Sequence, residues 1–97
     1  MFTGTLTADL LLGDVHSLKG KRAVVRPIVA ELRRRYAVAA AEVGDADLHR
    51  RVQVGVATVA ANAAHVTEVL DACERLIAGR PEVELLSVRR QLFRDTD

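Results

Sequence analysis

The stretch FTGTLTADLLL, residues 2–12, alternates with a period of two. Phe2, Gly4, Leu6, Ala8, Leu10 and Leu12 fall on one side; Thr3, Thr5, Thr7, Asp9 and Leu11 fall on the other. Successive side chains of a strand point to opposite faces, so the pattern predicts a strand with one buried face and one open face. Residues 50–60 (RRVQVGVATVA) repeat it, with Val52, Val54 and Val56 set against Gln53, Gly55 and Ala57. Two long period-two segments argue against an all-helical domain.

The segments around these strands supply the topology. Gly13-Asp14 ends the first strand, and Ser17 is placed to cap a helix. Leu18, Val25, Ile28, Val29, Leu32 and Tyr36 recur at helical spacing. Pro27 removes one backbone donor and crowds the carbonyl of Ala23. Either the helix kinks near Arg26, or its regular part starts near Pro27; a continuous, kinked helix is the preferred reading. Residues 37–43 (AVAAAEV) predict a short strand of poor propensity, and residues 44–49 a loop. Asn62 caps a second helix with the stripe Val66, Val69, Leu70, Cys73, Leu76 and Ile77, stopped by Gly79 and Pro81. Residues 82–93 (EVELLSVRRQLF) form the last strand, where Leu85-Leu86 breaks the alternation and predicts a bulge. The order is β-α-β-β-α-β. It predicts an α+β, ferredoxin-like sandwich: one domain over residues 1–97, a four-stranded antiparallel sheet with two helices on one face.

Composition is consistent with that fold. Ninety-seven residues support one modest core. Hydrophobic residues make up 49%, which argues against disorder, and aromatics only 3%, so the core must be aliphatic. The single cysteine, Cys73, excludes an internal disulfide, and its place on an apolar stripe predicts a buried thiol. The chain shows no leader, and no apolar run approaches the ~18 residues of a membrane span. A soluble, cytoplasmic protein is expected. His16, His49 and His65 share no metal-binding spacing, so neither a metal nor a cofactor is expected. No glycine-rich phosphate loop, nucleophile elbow or Cys–His pair is present, so no enzyme is expected. Acylphosphatase resembles the chain in element order alone, because the loop between the first strand and first helix here, residues 13–17, lacks its arginine.

Net charge is only +1, but its distribution is uneven. Between His16 and Tyr36 lie Lys19, Lys21, Arg22, Arg26, Arg33, Arg34 and Arg35 against one acid, Glu31. The predicted fold brings the turn after the first strand (residues 13–18), the loop between the second and third strands (44–51) and the turn after the second helix (79–82) to one end of the sheet. Lys19, Lys21, Arg22, Arg50, Arg51 and Arg80 would then gather at the amino end of the first helix, with His16 and His49 beside them. A helix start with free N–H groups and surrounding cations suits phosphate. The alternative is pairing with Asp14, Asp45, Asp47 or Glu82. Arg33-Arg34-Arg35 closes the helix, where cations suit its dipole. The two central strands offer no aromatic on the open face for base stacking. That flat face of Thr, Gly and Ala is also open to packing against a second sheet in a homodimer.

The motif SLKGKR at residues 17–22, AEVGDADLHRR at 41–51, the Arg35-Tyr36 pair and the element order together resemble the YlxP family of small bacterial proteins of unknown function. The resemblance covers residues 2–93. It implies a ferredoxin-like domain and, through the frequent neighbourhood of translation and ribosome-maturation genes, an RNA or ribosomal partner; no catalytic residue can be carried over. Members often have Glu where this chain has Gly20, which would complete a capping box with Ser17. The expected role is that of a non-enzymatic RNA- or ribosome-associated protein contacting phosphates through Lys19, Lys21, Arg22, Arg50 and Arg51. Changing Lys21 and Arg22 to Glu should then abolish binding and leave the fold intact. A homo-oligomeric module binding a small anion or a protein partner is the alternative.

Overall fold

Six elements follow one another as β1 (Phe2–Leu12), α1 (Leu18–Arg35), β2 (Ala39–Val43), β3 (Arg51–Ala60), α2 (Ala63–Ala78) and β4 (Val83–Arg94). They come from a computed structural model that describes residues 1–44 and 50–96. Each helix starts on the predicted cap. The Ser17 hydroxyl accepts the Gly20 N–H at 3.0 Å, and Asn62 Oδ1 accepts the His65 N–H at 2.8 Å. These caps satisfy donors that would otherwise be left at the helix starts. Helix α1 runs unbroken through Pro27, so its regular part does not begin there.

The strands form one antiparallel sheet in the order β2-β3-β1-β4. The expected α+β, ferredoxin-like sandwich is therefore the architecture. Strand β1 lies inside, pairing Leu6 with Val56 on one side and with Arg90 on the other. Asp9 faces Ser87 while Leu10 faces Leu85, which leaves Leu86 as the extra residue of a bulge. The first strand residue of β2 is Ala39 rather than Ala37. The chain turns there instead, with the Val38 N–H donating to the Tyr36 carbonyl at 2.9 Å and the Thr58 hydroxyl to the Ala37 carbonyl at 3.0 Å.

The buried face of the sheet and both helices enclose one aliphatic core, led by Leu6, Leu10, Leu12, Ile28, Leu32 and Ile77. Each such side chain contributes about 1.5–3 kcal/mol. Phe2 and Tyr36 sit at its border. Leu18, read as part of the α1 stripe, is exposed, and the buried place in the first turn belongs to Lys21.

Cys73 lies fully inside this core. Burial pushes its thiol pKa up, and the nearby Arg90 only partly opposes that. The native state therefore favours the neutral thiol. Stability from this group is present below the unfolded thiol pKa and is lost as pH rises through the higher folded value. A thiol reagent at neutral pH should leave folded protein unlabelled and label it fully in denaturant. Rapid labelling without denaturant would contradict this placement.

Candidate nucleic-acid interface

The predicted convergence of turns at one end of the sheet occurs. The Leu12 N–H donates to the Arg50 carbonyl at 2.7 Å, and Val83 stands opposite Leu12 in register. Arg50 is exposed there, with Nε donating to the carbonyls of Leu12 at 3.2 Å and Gly13 at 3.1 Å. A shallow groove joins it to the β1–α1 and α2–β4 turns.

The charges do not follow the expectation. Lys21 is 1% exposed, and its Nζ lies 3.6 Å from Glu42 Oε1 on β2. So buried a cation is not placed as a surface phosphate ligand, and changing Lys21 and Arg22 to Glu is expected to disturb the fold rather than leave it intact. Arg51 is ion-paired with Asp9 on the open face of the sheet. Arg80 Nη2 lies 2.9 Å from Glu31 Oε2 on α1. Three of the cations assigned to a free positive end are thus each matched by a carboxylate. His49, with Asp45 and Asp47, lies outside the described residues. Lys19 and Arg22 are exposed, as expected of ligands.

A different arrangement emerges on α1. Lys19, Arg22, Arg26 and Arg33 stand at i, i+3, i+7 and i+14 of one helix, which puts them on a single face. At ~1.5 Å per residue the row spans about 21 Å. Arg22, Arg26 and Arg33 line a groove between α1 and the edge strand β2, floored by Val25, Val29 and Ala41. Among the described residues, Lys19, Arg22 and Arg26 make no ion pair. Arg33 Nε donates to the Ala40 carbonyl at 2.9 Å, and among the described residues no carboxylate pairs with it. Glu42, the one acid among the described residues lining this groove, is engaged with Lys21. Arg35 turns away to Glu31 and stacks over Tyr36.

Sequence reasoning missed Arg26 and Arg33 as site residues. From the sequence, Arg26 reads as the place of a kink and Arg33 as a helix-end charge. Arg90 was also missed: it ties β4 to α2 through Asp71 at 2.7 Å and Glu74 at 3.2 Å. Burial disfavours its charge, but these two carboxylates outweigh that and raise its pKa. Among the described residues no cluster of His, Cys, Asp or Glu could hold a metal, and no helix is long and apolar enough to cross a membrane.

Residues 3–90, nearly the whole sandwich, match the model of a family described as a protein of unknown function, DUF503. The chain belongs to this DUF503 family. It is also 28% identical over 90 residues to the uncharacterized protein YlxP of Bacillus subtilis (strain 168), covering 93% of this chain and 98% of that protein. The likeness bears out the resemblance drawn from SLKGKR and its companions. For a DUF503 chain the relatives supply no activity, so the use of the α1 row must be argued from its chemistry.

Proposed function

We propose that this protein acts without catalysis, by holding the phosphate backbone of an RNA, with a ribosomal subunit as the expected setting. The observation that carries the reading is the row of exposed cations on α1: Lys19, Arg22, Arg26 and Arg33 share one face with no carboxylate paired to them among the described residues. Unpaired cations on one line are an electrostatic footprint for a polyanion, because each contact releases condensed counterions. A row about 21 Å long suits successive phosphates better than one small anion. The inner strands carry Thr, Gln, Gly and Ala on the open face, so contacts go to phosphates rather than to stacked bases. Lys19 and Arg22 keep their expected role; Arg26 and Arg33 replace Lys21, Arg51 and Arg80. Arg50 remains available at the end of the sheet for a further contact.

Co-sedimentation with ribosomal subunits across a salt series tests this directly. Four phosphate contacts predict that log K falls against log salt with a slope of about −3 for a single strand and about −3.6 for a duplex. Arg22→Glu with Arg26→Glu should remove binding at physiological salt and leave the thermal transition in place. Association that ignores salt, or that survives the double reversal, would overturn the reading.

A further inference from the structure

We propose that the RNA taken by the α1 row is double-stranded and is held by its backbone without regard to sequence. This deepens the phosphate-binding reading above and rests on it. Single-stranded RNA exposes its bases, and proteins hold it by stacking those bases on aromatic rings and bonding their edges. A duplex hides its bases and offers phosphates and 2′-hydroxyls at fixed positions. The groove beside α1 has the parts for the second task and lacks those for the first.

Apart from its three arginines, the groove is lined by Val25, Val29, Ala30, Ala41 and Glu42. The four aliphatic residues give a base neither a ring to stack on nor a hydrogen bond, and the Glu42 carboxylate is engaged by Lys21. Between Arg22 and Arg33, helix α1 exposes only Ala23, Pro27 and Ala30 besides Arg26. The whole chain has two Phe, one Tyr and no Trp, and each of the three is placed elsewhere. Phe2 and Tyr36 border the core, with Arg94 over the first and Arg35 over the second. Phe93 stands beside Thr3 on the open face of the sheet, away from both helices.

The row is also stiff. Helix α1 runs 18 residues without a break, and the bond from Arg33 Nε to the Ala40 carbonyl ties the far end of the row to β2. That bond uses one guanidinium N–H and leaves the terminal nitrogens for a phosphate. Cations held on a straight line suit phosphates that are themselves held, as in a duplex. A single strand must first be ordered, and no stacking is on offer to offset that lost entropy. Charge density acts in the same direction. Each phosphate neutralised adds ~0.9 to the salt slope on a duplex, against ~0.7 on a single strand. Over four contacts this difference alone favours the duplex about sixfold at ~0.1 M salt.

Fluorescence anisotropy at ~0.1 M salt tests the choice, with labelled RNA of about 16 base pairs, the span of a double-stranded-RNA domain. The probes are two duplexes of unrelated sequence and each of their strands alone, chosen to be free of self-pairing. Both duplexes should bind with dissociation constants within about twofold of each other, and each about fivefold or more tightly than either of its strands. Arg26→Ala, at an exposed position without an ion pair among the described residues, should leave the fold unchanged and lower the duplex salt slope by about 0.9. A single strand bound as tightly as its duplex, or a preference of more than about tenfold for one duplex sequence, would overturn the proposal and leave phosphate binding by the α1 row standing. An unchanged slope for Arg26→Ala would put the duplex off the row and overturn both. Binding of no probe would overturn the phosphate-backbone reading, and this proposal with it.

Discussion

Lys21→Glu should destabilise the fold by about 3–5 kcal/mol, the cost of breaking a buried ion pair by removing one partner. That is a large share of the ~5–15 kcal/mol available to a domain of this kind. The position is 1% exposed and its amino group faces Glu42 at 3.6 Å. A glutamate there replaces attraction by repulsion between two carboxylates, one of them without access to water. Lys21→Met keeps the apolar stem and should cost less, because the Glu42 side chain is 33% exposed and can hydrate. Arg22→Glu, one residue on and exposed, should stay within about 0.5 kcal/mol of the parent. Urea denaturation of the three variants measures the contrast. Equal stability of Lys21→Glu and Arg22→Glu would refute the buried placement of Lys21.

Gly4→Ala should cost about 1–3 kcal/mol by overpacking, although it adds a single methyl. A Cβ at Gly4 would fall 2.2 Å from Val66 Cγ1 and 3.0 Å from Leu70 Cδ1. Helix α2 thus rests directly on the backbone of β1. Val66 is branched at Cβ and sits in a helix, where essentially one rotamer is open to it, so it cannot swing aside. Val66→Ala empties the space the new methyl needs. The double variant Gly4→Ala with Val66→Ala should therefore be more stable than the sum of the two single losses predicts, by about 1 kcal/mol or more. Additivity in a double-mutant cycle would mean that α2 simply lifts away at no specific contact.

These two sites mark the boundary of what the sequence reveals. The strands were legible because β1 and β3 bury alternate residues, and the bulge was legible because Leu85-Leu86 breaks that alternation. The β2 boundary slipped because an alanine-rich segment carries almost no pattern, and hydrogen bonds at Ala37 and Val38 decide where it begins. The convergence of three turns was legible from topology. The pairing of the charges was not, because each carboxylate comes from an element adjacent in space rather than in sequence: Glu42 for Lys21, Asp9 for Arg51, Glu31 for Arg80. The sequence points to partners in the turns themselves, at Asp14, Asp45, Asp47 or Glu82. One signal for Lys21 was present. Residues 21, 25, 28 and 32 share the helical spacing of the buried stripe, and a lysine on that stripe must bring its charge to a partner. The α1 row was equally readable, since 19, 22, 26 and 33 fall on one face. It was hidden because a helix-end role and a proline-kink role had already accounted for Arg33 and Arg26.

The bond from Arg33 to the Ala40 carbonyl reaches beyond the groove it closes. Strand β2 is a sheet border, five residues long, and such borders can recruit foreign strands into fibres. With one outward carbonyl already occupied by a guanidinium, that border has little left to offer an incoming chain. At the opposite border, β4 is longer but bent by its bulge and dense in arginine, which likewise spoils a flat template. Growth by adding strand to strand is thereby discouraged at both margins, so a chain rich in alanine and valine can remain dispersed at high concentration rather than polymerise without limit.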